Sequence, residues 1–212
     1  MDFLNQDIID YCNKISCKDL ILDQLERETF YKVLMPRMIS GKIMGNFLKT
    51  ISYLKQPKYI LEIGTYTGYS AICLAQGLQN NGQLHTIEIN EELKSICEKY
   101  FKIANLQSKI KLHVGDAITI IPKMKYVFDI IFIDADKKNY LKYYELALSK
   151  IKTGGYILID NVLWSGKVLS PTKKNDTETR EIKKLNEWIA NDTRVENTLI
   201  PIRDGIMLCK VL

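Results

Sequence analysis

Asp134 and the pair Asp160-Asn161 each stand directly after an apolar run, Ile130 to Ile133 and Ile157 to Ile159. Such runs form buried parallel strands, and neighbouring strands lie about 4.8 Å apart, so side chains at equivalent strand ends can converge on one point. Two carboxylates and an amide oxygen, with no histidine or thiolate beside them, suit a hard cation, Mg2+, Mn2+ or Ca2+, and disfavour zinc. Each acid taken singly has another use, capping the helix that follows its strand. Together, at the carboxyl edge of an open α/β sheet where ligands bind, they point to a cation with coordination positions left for water or substrate. Lys137 follows Asp134 closely. Taken alone it reads as a solvated lysine just past a strand.

A second group lies in Leu61-Glu62-Ile63-Gly64-Thr65-Tyr66-Thr67-Gly68. A buried strand ends there in a glycine turn and a helix follows, so backbone N–H groups can approach a ligand closely. The glycine spacing departs from the G-x-G-x-x-G pattern that cradles a pyrophosphate, and the ligand need not carry phosphate. At the end of the next strand, Glu88 can accept hydrogen bonds from both hydroxyls of a ribose, and Ile89 can pack on an adenine face. The third strand ends in Val114-Gly115-Asp116-Ala117, where a small residue followed by an acid suits the edge of the adenine. Asp116 serves equally well as the N-cap of a helix from Ala117 onward.

The elements that must position these groups are visible in the periodicity. Residues 1–57 carry apolar positions at helical spacing, including Ile8, Ile9, Leu20, Leu25, Ile43, Phe47 and Ile51, and predict a helical N-terminal extension. From Tyr59 the chain alternates short β-branched runs with amphipathic segments, the pattern of βαβ units on a parallel sheet. The strands expected are Tyr59 to Ile63, Leu84 to Glu88, Ile110 to Val114, Val127 to Ile133 and Tyr156 to Ile159. Helices are expected near Tyr69 to Leu78, Glu91 to Ala104, Asn139 to Ile151 and Glu178 to Ile189. Val195 to Ile200 and Ile206 to Val211 then form a terminal antiparallel hairpin around Pro201 to Gly205. The fold class is therefore α/β, a doubly wound sheet of seven strands in one domain spanning residues 1–212.

With 212 residues and 46% hydrophobic content the chain can bury one sizeable core, and a charged fraction of 26% is that of an ordinary globular protein. Neither a membrane span nor a signal peptide is legible, so a cytoplasmic location without membrane contact is expected. The cysteines (Cys12, Cys17, Cys73, Cys97, Cys209) are scattered and read as reduced thiols. His85 and His113 sit in or beside strands with no second histidine nearby, and structural roles are expected of them. The formal charge of +5 attracts anionic partners at long range but selects none.

On these residues the chain resembles the cation-dependent O-methyltransferases, the family of catechol O-methyltransferase and caffeoyl-coenzyme A O-methyltransferase. The resemblance covers nearly the whole length and is carried by Met38 with Gly41, Glu62 to Ser70, Phe132 to Lys137, Asp160 to Gly166 and Asp204-Gly205. It implies a Rossmann-like sheet with a reversed last strand, S-adenosylmethionine as cofactor, and commonly a homodimer. It also implies that Asp134, Asp160 and Asn161 hold Mg2+, that Glu88 holds the ribose, and that Lys137 is the general base. Met38, Gly64, Tyr66, Ser70, Asp116 and Ala117 would line the cofactor pocket, with Glu62, Ile89 and Asp134 counted among the cofactor contacts. Catechol O-methyltransferase has a glutamate two residues past its terminal Asp-Gly that contacts the diol. Met207 stands there in this chain, so the caffeoyl-coenzyme A-like and bacterial members are nearer.

The chemistry implied is displacement at a sulfonium methyl by an oxyanion. A phenol with a pKa of about 10 is mostly protonated at neutral pH, and a metal chelated by two adjacent hydroxyls favours their ionisation. Two other acceptors or activities fit parts of the pattern. One is a hydroxylated uridine in tRNA, for which Lys173, Lys174, Lys183 and Lys184 would meet phosphates. The other is a nicotinamide dehydrogenase, weakened by the missing third glycine and the lack of a Tyr-x-x-x-Lys arrangement at a plausible position.

Overall fold

The computed structural model describes residues 5–212. Three helices come first: α1 (Gln6–Ile15), α2 (Leu20–Lys32) and, after a 3-10 turn at Pro36–Met38, α3 (Gly41–Lys55). Asp19 fixes the start of α2 by accepting from the backbone N–H groups of Ile21 and Leu22, a cap worth about 1 kcal/mol.

From Tyr59 the order is β1 (Tyr59–Ile63), α4 (Tyr69–Ala75), β2 (Gln83–Glu88), α5 (Lys94–Ile103), β3 (Ile110–Val114), α6 (Ala117–Ile120) and β4 (Phe128–Ile133). It continues through α7 (Tyr140–Lys150), β5 (Ile151–Asp160), α8 (Thr177–Ala190), β6 (Val195–Ile200) and β7 (Ile206–Val211). The strands make one seven-stranded sheet in the order β3-β2-β1-β4-β5-β7-β6. β1 to β5 pair in parallel, and β7 runs antiparallel to both β5 and β6. The strand order reverses between β1 and β4, which opens a crevice above their carboxyl ends.

Alternation along the strands produces a core on each face. Ile60, Ile130, Phe132 and Leu158 pack with Leu25, Met44, Leu48, Ile72 and Phe101 from the N-terminal helices, α4 and α5. Leu61, Ile63, Ile131, Ile133, Ile157 and Ile159 pack on the other face with Ala117, Tyr144, Leu185 and Ile189. The central strands are apolar at nearly every position because both faces are covered. Each fully buried Leu, Ile or Phe there contributes roughly 1.5–3 kcal/mol.

Three details differ from the periodicity. β5 begins at Ile151, directly after α7, because Ile151 pairs with Phe128 across a register shift, and the turn-like Lys152-Thr153-Gly154-Gly155 lies inside the strand. The β3 to β4 crossover is a single short helix with a following 3-10 turn, Ile121–Lys123, too brief to show a period. His85 and His113 are not isolated from each other: their Nδ1 and Nε2 atoms lie 3.0 Å apart. Parallel pairing sets His85 beside Lys111 and His113 beside Ile87, a diagonal on one face. The packing role expected of them is consistent with the Tyr126 ring, whose centroid is 4.3 Å from that of His85. Among the described residues no helix is long and apolar enough to cross a membrane.

Candidate active site

Register brings the chemical residues to one level. Ile63 pairs with Ile133 and Ile133 with Ile159, so Gly64, Asp134 and Asp160 are the next residues on three adjacent strands. Gly64 has φ +99°, and a Cβ there would meet the Asp134 carbonyl oxygen at 1.9 Å and its carbon at 2.7 Å. Only glycine permits both the left-handed backbone and this approach.

The turn after Gly64 is tied to β2. The Gly64 and Thr65 N–H groups donate to the Ile87 carbonyl, at 3.0 and 3.2 Å. Tyr66 has φ +51°, and its N–H donates to Glu88 Oε2 at 2.7 Å. The Asn90 N–H donates to the other Glu88 oxygen at 2.9 Å. The carboxylate is thus fixed by two backbone donors and keeps lone pairs on both oxygens for further donors. Ile89 beside it is 76% exposed, an apolar face open to a planar ligand. The Tyr66 hydroxyl donates to the carbonyl of Met35 at 3.2 Å, which brings the 3-10 turn carrying Met38 to the same crevice.

Glu62 lies beneath this turn and is fully buried. The Thr86 hydroxyl donates to its Oε2 at 2.5 Å, while Oε1 has no partner. Burial pushes the Glu62 carboxyl up to about 8, against the lowering effect of its hydrogen bond from Thr86. A buried acceptor without a donor is costly, so the unpartnered oxygen fits a donor supplied by a bound molecule. Asp116 and Ala117 take the structural option: Asp116 Oδ1 accepts from the Ile118 N–H at 2.9 Å as the cap of α6, and the Ala117 side chain is buried in the core. Both remain at the carboxyl end of β3, where a ligand lying across the strand ends would pass.

Lys137 is 8% exposed and donates to Asp134 Oδ1 at 3.1 Å, to Asn161 Oδ1 at 2.7 Å and to the Tyr140 hydroxyl. Asn161 has φ +61°, a left-handed conformation that asparagine tolerates better than most residues. Asp160 is 2% exposed, and its Oδ1 accepts from the Asn161 N–H at 2.8 Å. Burial, then the charge of Asp134, pushes the Asp160 carboxyl up to about 7. Crowded negative charge and converging oxygens, already satisfying one ammonium, fit a hard cation. Among the described residues no three His, Cys, Asp or Glu side chains converge as a metal centre; the set here is two carboxylates and one amide.

Tyr140 and Arg203 escape a reading of the sequence, whereas Trp164 lies in the Asp160 to Gly166 stretch that carries the resemblance. Tyr140 is fully buried, accepts from Lys137 and donates to the Asp160 carbonyl at 3.2 Å. Its only signal is its place one helical step after Lys137. The Trp164 ring lies with its centroid 5.8 Å from Lys137 Nζ, and its indole N–H is buried without a partner. Arg203 donates to the carbonyls of Ile39 and Ser40 and so joins the β6 to β7 turn to the N-terminal extension.

The comparisons with known proteins agree with this arrangement. A family model described as O-methyltransferase matches residues 13–212. A caffeoyl-CoA O-methyltransferase of Petunia hybrida is 36% identical over 177 residues, covering 78% of this chain and 73% of the relative. The solved O-methyltransferase of Bacillus cereus, in complex with SAH, is 31% identical with TM-score 0.90 and covers 97% of each chain. The O-methyltransferase TomG of Streptomyces achromogenes, in complex with SAM, is 27% identical with TM-score 0.88, covering 98% of this chain and 96% of that one.

Proposed function

This chain belongs to the O-methyltransferase family, and on that premise we propose that it transfers the methyl group of S-adenosylmethionine to one hydroxyl of a vicinal aromatic diol, free or as a caffeoyl-coenzyme A-like ester, in a reaction requiring Mg2+ or, in its place, Mn2+ or Ca2+. The observation that carries this reading is the meeting of Asp134, Asn161 and Lys137 beside the Gly64 turn. Membership leaves no place for the dehydrogenase alternative.

The Gly64 turn lets the cofactor lie against bare backbone, Glu88 receives its ribose hydroxyls, and Ile89 covers its adenine. Glu62 Oε1 receives its ammonium end, directly or through a water. The choice of cofactor, though not these residue roles, is supported by the relatives solved with SAM and SAH.

Asp134, Asp160 and Asn161 hold the divalent cation, which when bound favours ionisation of a chelated diol and fixes the oxygen presented for transfer. Lys137 Nζ, as the neutral amine left once its ammonium has released a proton to water, takes the proton of the reacting hydroxyl. Trp164 walls the acceptor side. Met207 is buried in the core and contributes no carboxylate there, which favours acceptors of the caffeoyl-coenzyme A kind over small catechols. A homodimer is part of the same reading, supported by α1, none of whose residues is buried and which exposes Ile8, Tyr11 and Ile15.

The test is to offer 3,4-dihydroxycinnamic acid, its coenzyme A ester and 4-hydroxycinnamic acid with labelled cofactor. Methylation of the diols alone is expected; equal methylation of the monophenol would overturn chelation as the basis of recognition. Labelling of hydroxylated tRNA with none of the acids touched would replace the diol by RNA, bound through exposed Lys173, Lys174 and Lys184.

A further inference from the structure

An ammonium has three N–H bonds, and all three of those on Lys137 are used: by Asp134 Oδ1 at 3.1 Å, by Asn161 Oδ1 at 2.7 Å and by the Tyr140 hydroxyl. Two of those acceptors belong to the oxygen set assigned above to the divalent cation. A cation that takes Asp134 and Asn161 at the short distances typical of Mg2+, about 2.0–2.1 Å, needs the lone pairs the ammonium occupies and repels its charge. Lys137 and the metal therefore cannot both hold these oxygens as they stand.

We propose that Lys137 is the built-in counter-ion of the cation site, competing with the divalent ion for Asp134 and Asn161 and thereby setting how tightly the ion binds. The inference rests on the metal dependence proposed above. Several features make the lysine an effective competitor. It sits on the 3-10 turn Lys137–Asn139, which begins three residues after Asp134, so it reaches the oxygens without a long excursion. The Tyr140 hydroxyl is itself fixed by its bond to the Asp160 carbonyl and holds the ammonium from the buried side. The Trp164 ring offers the displaced ammonium an aromatic face, within the roughly 6 Å over which a cation is attracted to a ring. Displacement in that direction moves Nζ from the metal ligands toward the acceptor side of the crevice, where a proton must be taken. There Nζ can take that proton once it has given one of its own to water.

The test reads metal binding, not turnover. Free Mn2+ is followed by its electron paramagnetic resonance signal in titrations of the full chain, with thermal melts with and without Mn2+, for wild type, Lys137→Met and Tyr140→Phe. Lys137→Met is expected to bind Mn2+ about ten-fold more tightly than wild type, to melt lower without metal, and to be stabilised more by Mn2+. Tyr140→Phe, a volume-conserving change that removes one acceptor of the ammonium, is expected to bind Mn2+ a few-fold more tightly, and it decides the matter if Lys137→Met does not fold. Unchanged or weaker Mn2+ binding in both variants while wild type binds would overturn the competition and leave metal dependence intact. Absence of Mn2+ binding by all three proteins at millimolar concentration would overturn the metal reading itself.

Discussion

A Cβ on Gly64 would stand 1.9 Å from the carbonyl oxygen of Asp134. The Gly64 turn, proposed above to receive the cofactor, and the end of β4 that carries Asp134 are therefore in direct backbone contact, across the point where the sheet order reverses.

Gly64→Ala tests it. The added carbon meets backbone on Asp134 and forces a side chain into φ +99°; strain of this kind costs on the order of 1–3 kcal/mol. The expected result is a lower melting temperature and at least a ten-fold loss of affinity for S-adenosylhomocysteine by calorimetry. Wild-type affinity would show that the turn does not receive the cofactor.

Glu88→Gln keeps the shape of the side chain but gives up a charge that now accepts from Tyr66 and Asn90 and, on this account, from the ribose. Hydrogen bonds to charged groups contribute about 1.5–3 kcal/mol, so cofactor affinity is expected to fall roughly ten- to a hundred-fold with acceptor preference unchanged. A variant with altered acceptor preference and intact cofactor binding would misplace Glu88 in this scheme.

Asp160→Asn separates stability from activity. Burial, then the charge of Asp134, raises the Asp160 pKa, so making the side chain neutral removes a buried charge and its like-charge repulsion. Without added metal at pH 8 the variant is expected to melt higher than wild type while methyl transfer falls at least a hundred-fold. Retention of transfer would exclude Asp160 as a ligand.

The buried histidine gives a pH dependence. Burial, then His113 and Lys111, brings His85 down to about 4 from an unfolded value near 6.5. Between these values the unfolded chain binds the proton more readily, so the contribution of His85 is complete above about pH 6.5 and is lost as pH falls toward 4. Melting curves from pH 7 to 4.5 should fall less steeply for His85→Gln than for wild type. Parallel curves would remove His85 as a source of acid sensitivity.

The strands were legible because buried parallel strands read as apolar runs, and the candidate site residues Asp134, Asp160, Asn161, Gly64 and Glu88 all stand at the ends of such runs. Contacts that depend on register between distant segments were not. His85 meets His113 only because β2 and β3 pair with His85 beside Lys111. Arg203 reaches Ile39 and Ser40 across most of the chain. Tyr140 looks like an ordinary core position of a helix, and its hydroxyl acquires a role only once the β5 end lies above it. The strand start at Ile151 was hidden because Gly154-Gly155 reads as a turn, while pairing with β4 carries the strand through it.

In the reaction proposed above, this chain uses a divalent cation at Asp134, Asp160 and Asn161 to methylate a vicinal diol. The most direct measurement is methyl transfer to 3,4-dihydroxycinnamoyl-coenzyme A in the presence of Mg2+, after a chelator, and after Mg2+ is restored in excess. Transfer is expected to be abolished by the chelator and recovered with the metal, while cofactor binding persists throughout. Transfer at an undiminished rate in the chelator would contradict the proposal.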